Sequence, residues 1–167
     1  MPLLTEDVKP TRSEIAIREF QPGDAADFRR LNEEWITLYF KLEPKDRYTL
    51  EHPEETILAK GGRIFFAIRE GVALGTVALI PIAPNEYEVA KMGVTANVRG
   101  LGIGSQLMQA TVEAARASGA TRLYLETNHA LLPAIRVYTA AGFRDVPADR
   151  LTPSPYQRAD VFMELFL

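Results

Sequence analysis

The chain has no cysteine, only two histidines and a single tryptophan. Without cysteine there are no disulfides, no thiolate metal sites and no cysteine nucleophile. The usual mark of a secreted protein is missing too, so a cytoplasmic location is expected. His52 and His129 stand far apart in the sequence, which excludes a histidine-rich metal centre. Both read as surface or loop residues, and no metal is expected. No apolar run approaches the roughly 20 residues of a membrane-spanning helix. The first ten residues carry Glu6 and Asp7 where a signal peptide has its apolar middle. The formal net charge of −3 provides no global basic field. Neither a membrane nor a nucleic acid is therefore an expected partner.

What is present is a soluble composition, 47% hydrophobic and 25% charged, over 167 residues. That is enough chain for one domain with a sizeable core. Residues 1–12 read as a loose lead-in and 13–167 as one domain. Ile15–Phe20 reads as a strand ended by Gln21-Pro22-Gly23, and Asp24 as the N-cap of a helix. Phe28, Leu31, Trp35, Leu38 and Leu42 recur at helical steps as one buried stripe, with Trp35 in the core and Pro44 breaking the helix. Residues 43–60 are acid-rich, with Glu43, Asp46, Glu51, Glu54 and Glu55 forming either a solvated surface or a rim that attracts a cation. Pro53 opens a short helix through Leu58, closed by Gly61-Gly62. Arg63–Arg69 and Val72–Ile80 form a hairpin around Glu70-Gly71, residues 81–85 form a loop, and Glu86–Val94 is a further strand. Gly93, near the end of that strand, marks a bulge or a close backbone approach. A helix from Ile103 to Gly119, a strand at Leu123–Thr127, a helix at Leu131–Ala141 and two closing strands complete the order. An antiparallel first half joined to one parallel crossover gives an α/β fold. Its mixed, mostly antiparallel sheet has about seven strands, flanked by about four helices.

The most informative stretch is Val98-Arg99-Gly100-Leu101-Gly102-Ile103-Gly104-Ser105. Glycines at alternate positions let backbone N–H groups turn together toward a ligand. The helix that starts there adds its unpaired N–H groups and the positive end of its dipole. Together these make an anion site, most often for phosphate or pyrophosphate. A P-loop needs lysine after its last glycine, but Gly104 is followed by Ser105-Gln106. A dinucleotide fingerprint needs a sixth-position glycine; Ser105 or Leu107 stands there instead, although Glu126 lies where a ribose-binding acid would fall.

Arg99-Gly100-Leu101-Gly102-Ile103-Gly104 matches the R/Q-x-x-G-x-G/A motif, and the surrounding residues extend the match. Glu88 to Val94 stands as the preceding strand; Asn128, Ala134 and Tyr138, then Ala141-Gly142-Phe143, match N…A-x-x-x-Y…G-F. On these motifs residues 63–146 resemble the GNAT superfamily of acetyl-CoA-dependent N-acetyltransferases. The resemblance implies acetyl-CoA as co-substrate, its pyrophosphate on the N–H groups of Leu101 to Ser105, with Arg99 beside it. It also implies that the pantetheine arm pairs with main chain around Met92, Gly93 and Val94, and that the Val94 N–H polarises the thioester carbonyl. Asn128 falls at a CoA-contacting position, or serves as a strand-end cap. Tyr138 falls where the family donates to the departing sulfur, or is a core aromatic.

An acceptor alkylammonium, with pKa about 10.4, costs roughly 4–5 kcal/mol to neutralise at pH 7, so a base is useful. Glu86 and Glu88 share a strand face, and Glu88 holds the position of some GNAT catalytic glutamates. The expected reaction is direct acetyl transfer to a primary amine in a ternary complex. A non-catalytic acyl-CoA-binding module and a nucleotide-binding enzyme are the alternatives. The acceptor is a small-molecule or peptide amine, bound by residues 35–60, 63–80 and 145–158, with Tyr39, Tyr48 and Tyr156 as candidate lining. Oligomeric state is not legible in the sequence; a homodimer is compatible with the sheet.

Overall fold

The computed structural model describes residues 14–167, and the lead-in expected over 1–12 lies outside them. The strands are β1 (Ala16–Glu19), β2 (Arg63–Arg69), β3 (Val72–Ala83), β4 (Glu86–Val94), β5 (Arg122–Thr127), β6 (Arg144–Asp145) and β7 (Val161–Phe166). The helices are α1 (Ala25–Tyr39), α2 (Pro44–Glu51), α3 (Pro53–Thr56), α4 (Ile103–Ala117) and α5 (Leu132–Ala140). The seven strands form one sheet in the order β1-β2-β3-β4-β5-β7-β6. Every neighbouring pair is antiparallel except β4 and β5. One parallel pair is what a single α4 crossover between them requires. A doubly wound nucleotide-binding sheet, which is parallel throughout its core, is therefore not this fold.

The sheet buries both faces. Phe65, Ala67, Val77, Leu79, Val89, Leu123 and Leu125 pack with Ile103, Leu107 and Met108 of α4 and Tyr138 of α5. Ile64, Phe66, Ala73 and Ala78 pack on the other face with Phe28, Leu31 and Ile36 of α1, Leu50 of α2 and Ile57. Alternation along β2 thus sends successive side chains to different helices, as period two dictates.

Several local expectations change. Pro44 does not end the first helix; α1 stops at Tyr39, and Pro44 is the first residue of α2. Proline is tolerated there because that position has no helical N–H bond to lose. Leu38 is 62% exposed and is not part of the buried stripe. β3 continues to Ala83, past the expected loop start at Pro81. Asp24 sits at the N-cap without a side-chain cap bond. Its carboxylate instead takes the Arg18 guanidinium and the Gln21 N–H.

The largest change lies in β4. Thr76 faces Gly93 but Ala78 faces Ala90, so two residues, Lys91 and Met92, oppose Val77 alone. The bulge is therefore at Lys91, whose φ is +54°, and not at Gly93. Gly93 meets the other expectation for that position, a close backbone approach. A Cβ there would lie 2.7 Å from the Leu31 carbonyl oxygen and 2.8 Å from Trp35 Cδ1, so it is the point where α1 presses on the sheet.

Candidate active site

β4 and β5 pair only from Glu86–Glu88 to Arg122–Tyr124, then diverge. β4 runs on to Val94 and β5 to Thr127, so both leave main chain unpaired on their facing edges. A cleft of about 750 Å³ opens at this fork. Its lining brings Met92–Val94, the glycine loop and α5 together with Trp35, Glu88, Lys91, Glu126, Tyr156 and Arg158.

The glycine loop follows β4 through a short turn at Ala96–Val98. Gly100 and Gly102 take φ values of +89° and +76°, where a side chain would be strained. The first bond of the α4 ladder runs from the Gln106 N–H to the Gly102 carbonyl. The N–H groups of Ile103, Gly104 and Ser105 thus precede the ladder, at the positive end of a 15-residue helix. Arg99, Gly100, Gly102, Ile103, Gly104 and Ser105 line the cleft. Leu101 packs its side chain against the core instead. The Arg99 side chain reaches back to the Val94 carbonyl and the Tyr39 hydroxyl.

Tyr138 rises from α5 into the cleft wall, with only 8% of its surface exposed. Burial pushes its phenol up to about 12, so it is a proton-bearing donor throughout the neutral range. Asn128 lies at the end of β5, with both ends of its amide occupied. Its Nδ2 donates to the Arg158 carbonyl at 2.8 Å, and its Oδ1 accepts from the Ala130 N–H at 2.8 Å. The side chain therefore ties the β5 terminus to the segment before β7.

The two glutamates expected to share a face do so, but they differ in place. Glu86 sits beside Arg122, 3.6 Å away, and Glu88 enters the cleft. Burial and the nearby Glu126 carboxylate raise Glu88 to about 7, against the opposing pull of Lys91 and Lys45. Glu126 belongs to the same face because Tyr124, two residues earlier, pairs with Glu88. Its Oε1 is buried without a hydrogen-bond partner among the described residues.

A buried ionic cluster that local sequence pattern did not reveal completes the site. Asp46 of α2 is fully buried and receives Lys91 Nζ at 2.8 Å. It also receives Nη1 and Nη2 of Arg158, each at 2.6 Å. These partners overcome the burial of the Asp46 carboxyl and hold it at about 2. Lys91 donates as well to the Tyr156 hydroxyl at 3.0 Å, and burial pulls its ammonium down from the ordinary lysine value. Glu43, which forms a capping box with Asp46 at the start of α2, accepts from Arg158 Nη1 at 3.2 Å. Of the five acids read as a surface or rim, Asp46 is therefore internal and Glu43 partly buried, each held by Arg158.

The bulge explains why Lys91 is here. In an unbroken strand, Lys91 would point away from Glu88's face; the extra residue brings it onto that face, toward α2. Trp35 is half core and half cleft wall, with the Arg158 guanidinium 5.7 Å from its ring. Tyr39 and Tyr156 line the cleft, whereas Tyr48 is exposed and bonded to Glu55. The hairpin at 63–80 contributes none of the lining residues. His129 is exposed and pairs with Asp160, and the described residues hold no cluster of three metal-ligating side chains. No described helix is long and apolar enough to cross a membrane.

The sequence model of the acetyltransferase (GNAT) family matches residues 28–143. A relative in Schizosaccharomyces pombe, an uncharacterised N-acetyltransferase, is 28% identical over 155 residues, covering 89% of this chain and 93% of the relative. A GNAT-family acetyltransferase of Staphylococcus aureus Mu50 superposes with a TM-score of 0.81 at 24% identity, covering 90% of this chain and 97% of that one. An acetyltransferase of Bacillus subtilis, solved in complex with CoA, superposes with a TM-score of 0.68 at 18% identity. That match covers 92% of this chain and 99% of the other.

Proposed function

Because this chain belongs to the acetyltransferase (GNAT) family, we propose that it transfers the acetyl group of acetyl-CoA directly to a primary amine held beside Glu88 in a ternary complex. The observation that carries this reading is the forked cleft, lined both by a glycine loop that opens a helix and by a carboxyl raised to about 7. The cleft fits acetyl-CoA. Unpaired β4 main chain around Met92, Gly93 and Val94 offers strand-like bonding to an amide-bearing arm. The N–H groups from Leu101 to Ser105, with Arg99 adjoining, offer donors to a pyrophosphate without any lysine. Acetyl-CoA supplies the activated acetyl thioester. Asn128 shapes the cleft through its ties to Arg158 and Ala130.

Each catalytic role follows from environment. An amine must lose a proton before it attacks, and a base works best with a pKa near the working pH. Glu88, held near 7, meets that condition; an ordinary exposed glutamate near 4.5 would not. The Val94 N–H is the donor we assign to the thioester carbonyl. Tyr138, held near 12, keeps its proton and stabilises the departing sulfur by a hydrogen bond. Glu88 and Tyr138 lie on opposite faces of the sheet, so the fork between β4 and β5 is where their two reagents meet.

The test is CoA release from acetyl-CoA over a panel of amino acids, polyamines, aminoglycosides and peptides, with acetyl-CoA binding followed by calorimetry. Turnover with at least one amine is expected. Tight acetyl-CoA binding with no turnover on any amine would favour an acyl-CoA-binding module instead.

A further inference from the structure

The acceptor end of the cleft carries two cations as well as two carboxylates, and the cations are only partly spent. Arg158 has five N–H donors. Asp46 takes one each from Nη1 and Nη2, and Glu43 takes the other from Nη1. Among the described residues the Nε–H and the outer N–H of Nη2 take no partner, and they lie along one edge of the guanidinium plane. That edge is the fork that receives a carboxylate through two parallel bonds. The plane itself is fixed: Tyr156 and Trp35 lie 4.6 and 5.7 Å from its carbon, and Asp46 grips its far end. Lys91 spends two of its three donors, on Asp46 and the Tyr156 hydroxyl. Lys91 and Arg158 both line the cleft, while Asp46 lies fully buried behind them. Glu88 and Glu126 line the same cleft, and Glu126 keeps a buried oxygen without a partner among the described residues.

We infer that the acceptor is an amino acid in the broad sense, a primary amine that also bears a carboxylate. Its ammonium is received by Glu88 and Glu126, and its carboxylate by the free edge of Arg158 and the third donor of Lys91. This rests on the acetyl-transfer reading above and narrows its acceptor. A polyamine or aminoglycoside would satisfy the glutamates while bringing positive charge against Arg158 and Lys91, an arrangement that costs binding. A neutral amine such as an amino-acid amide would desolvate the guanidinium fork without pairing it.

The test uses the wild-type full chain, acetyl-CoA and sets of three acceptors on one carbon skeleton: the amino acid, its carboxamide, and the amine without the carboxyl group. Sets with α-, β- and ω-amino groups cover the spacing. For the skeleton that is turned over best, kcat/KM for the acid should exceed that for both analogues by about 10- to 100-fold, the worth of a charge-assisted bidentate contact. A carboxamide or simple amine that matches or exceeds the acid overturns the inference while leaving acetyl transfer intact. Turnover of polyamines, aminoglycosides or peptides with none in these sets also overturns the inference and leaves acetyl transfer intact, whereas acetyl-CoA binding without turnover on any amine overturns the acetyl-transfer reading, and the inference with it. Arg158→Lys supplies the second measurement. It should raise KM for the acid at least about tenfold more than it raises KM for the carboxamide. An equal rise for both acceptors would make Arg158 merely structural and overturn the assignment. The substrate comparison on wild-type protein decides the matter if that variant fails to fold.

Discussion

Replacing Glu88 with glutamine keeps the shape of the side chain and removes its ability to take a proton. In the folded chain Glu88 titrates at about 7, raised by burial and by Glu126 on β5 and restrained by Lys91 on β4 and Lys45 on α2. Tyr156 and Tyr124 also feel its charge. If its ionised form is the working base, wild-type kcat/KM should rise with pH through a limb near 7. It should fall to about a tenth of the plateau one unit below the limb. General-base catalysis contributes about 10²- to 10⁴-fold, so Glu88→Gln should lose at least about 100-fold at pH 8 and lose that limb altogether. Initial rates of CoA release between pH 5.5 and 9.5 measure both effects. A variant that keeps an inflection near 7, or stays within about threefold of wild type, would refute the role. A second readout comes from stability. Because the folded value lies above the ordinary 4.5, ionising Glu88 costs more in the fold than in the unfolded chain. That cost is absent below about 4.5, grows between the two values and is complete above about 7. Glu88→Gln, always neutral, should therefore unfold at higher denaturant than wild type at pH 8 and not at pH 4, by a margin of up to a few kcal/mol. A loss of stability at pH 8 would mean that the carboxylate is paired in a way the raised pKa denies.

Three further substitutions probe the rest of the cleft. Tyr138→Phe should lower kcat by about tenfold or more with KM for acetyl-CoA within about twofold, since burial keeps the phenol a donor and not a CoA-binding charge; steady-state kinetics with either substrate saturating would show it. Asp46→Asn leaves the buried Lys91 and the Arg158 guanidinium short of a countercharge and should cost about 3–5 kcal/mol in urea unfolding at pH 7. The folded Asp46 value lies below the ordinary 3.8, so this contribution is present above about 4 and is lost as pH falls toward 2; the wild-type and variant curves should converge there. Gly93→Ala forces a Cβ to within 2.7 Å of a backbone oxygen on α1 and should cost about 1–3 kcal/mol, read as a lower denaturation midpoint.

The parts of this molecule that are legible in the sequence are those encoded by neighbours. The glycine loop, the hairpin at Glu70-Gly71 and the α4 stripe each declare themselves within a dozen residues, and the strand order follows from them. Lys91 could not be read this way. Period two sets residues 88 and 91 on opposite faces, and only the register against β3 reveals the extra residue that reunites them. Glycine marks a bulge or a close backbone approach, and Gly93 is the second of these, while the positive φ of the bulge falls on a lysine. Arg158 and Asp46 stand 112 residues apart, and no periodicity links them. The signal nearest to hand was Glu43-Pro44-Lys45-Asp46, a capping box with proline at its first helical position; reading Pro44 as a helix breaker hid it.

That capping box connects the start of a helix to the raised Glu88 carboxyl in the cleft. Lys91 and Glu88 lie on one face of one strand, and a direct ion pair between them would drag the glutamate down, out of the range useful to a base. What prevents the pair is Asp46, which takes the lysine ammonium from behind at 2.8 Å, leaving Glu88 to feel Lys91 only at a distance. The lysine is turned toward α2 by the positive-φ bulge, a strained conformation for a residue with a side chain and one sustained by the contacts that fix it. Asp46 in turn is placed by the first turn of α2, where its Oδ2 also accepts the Glu43 N–H at 3.0 Å. The strain at Lys91, the buried ion cluster and the raised Glu88 carboxyl are thus three aspects of one arrangement. Filling the cleft with two unlike charges while keeping them unpaired requires that the positive ones be anchored elsewhere, and α2 is that anchor.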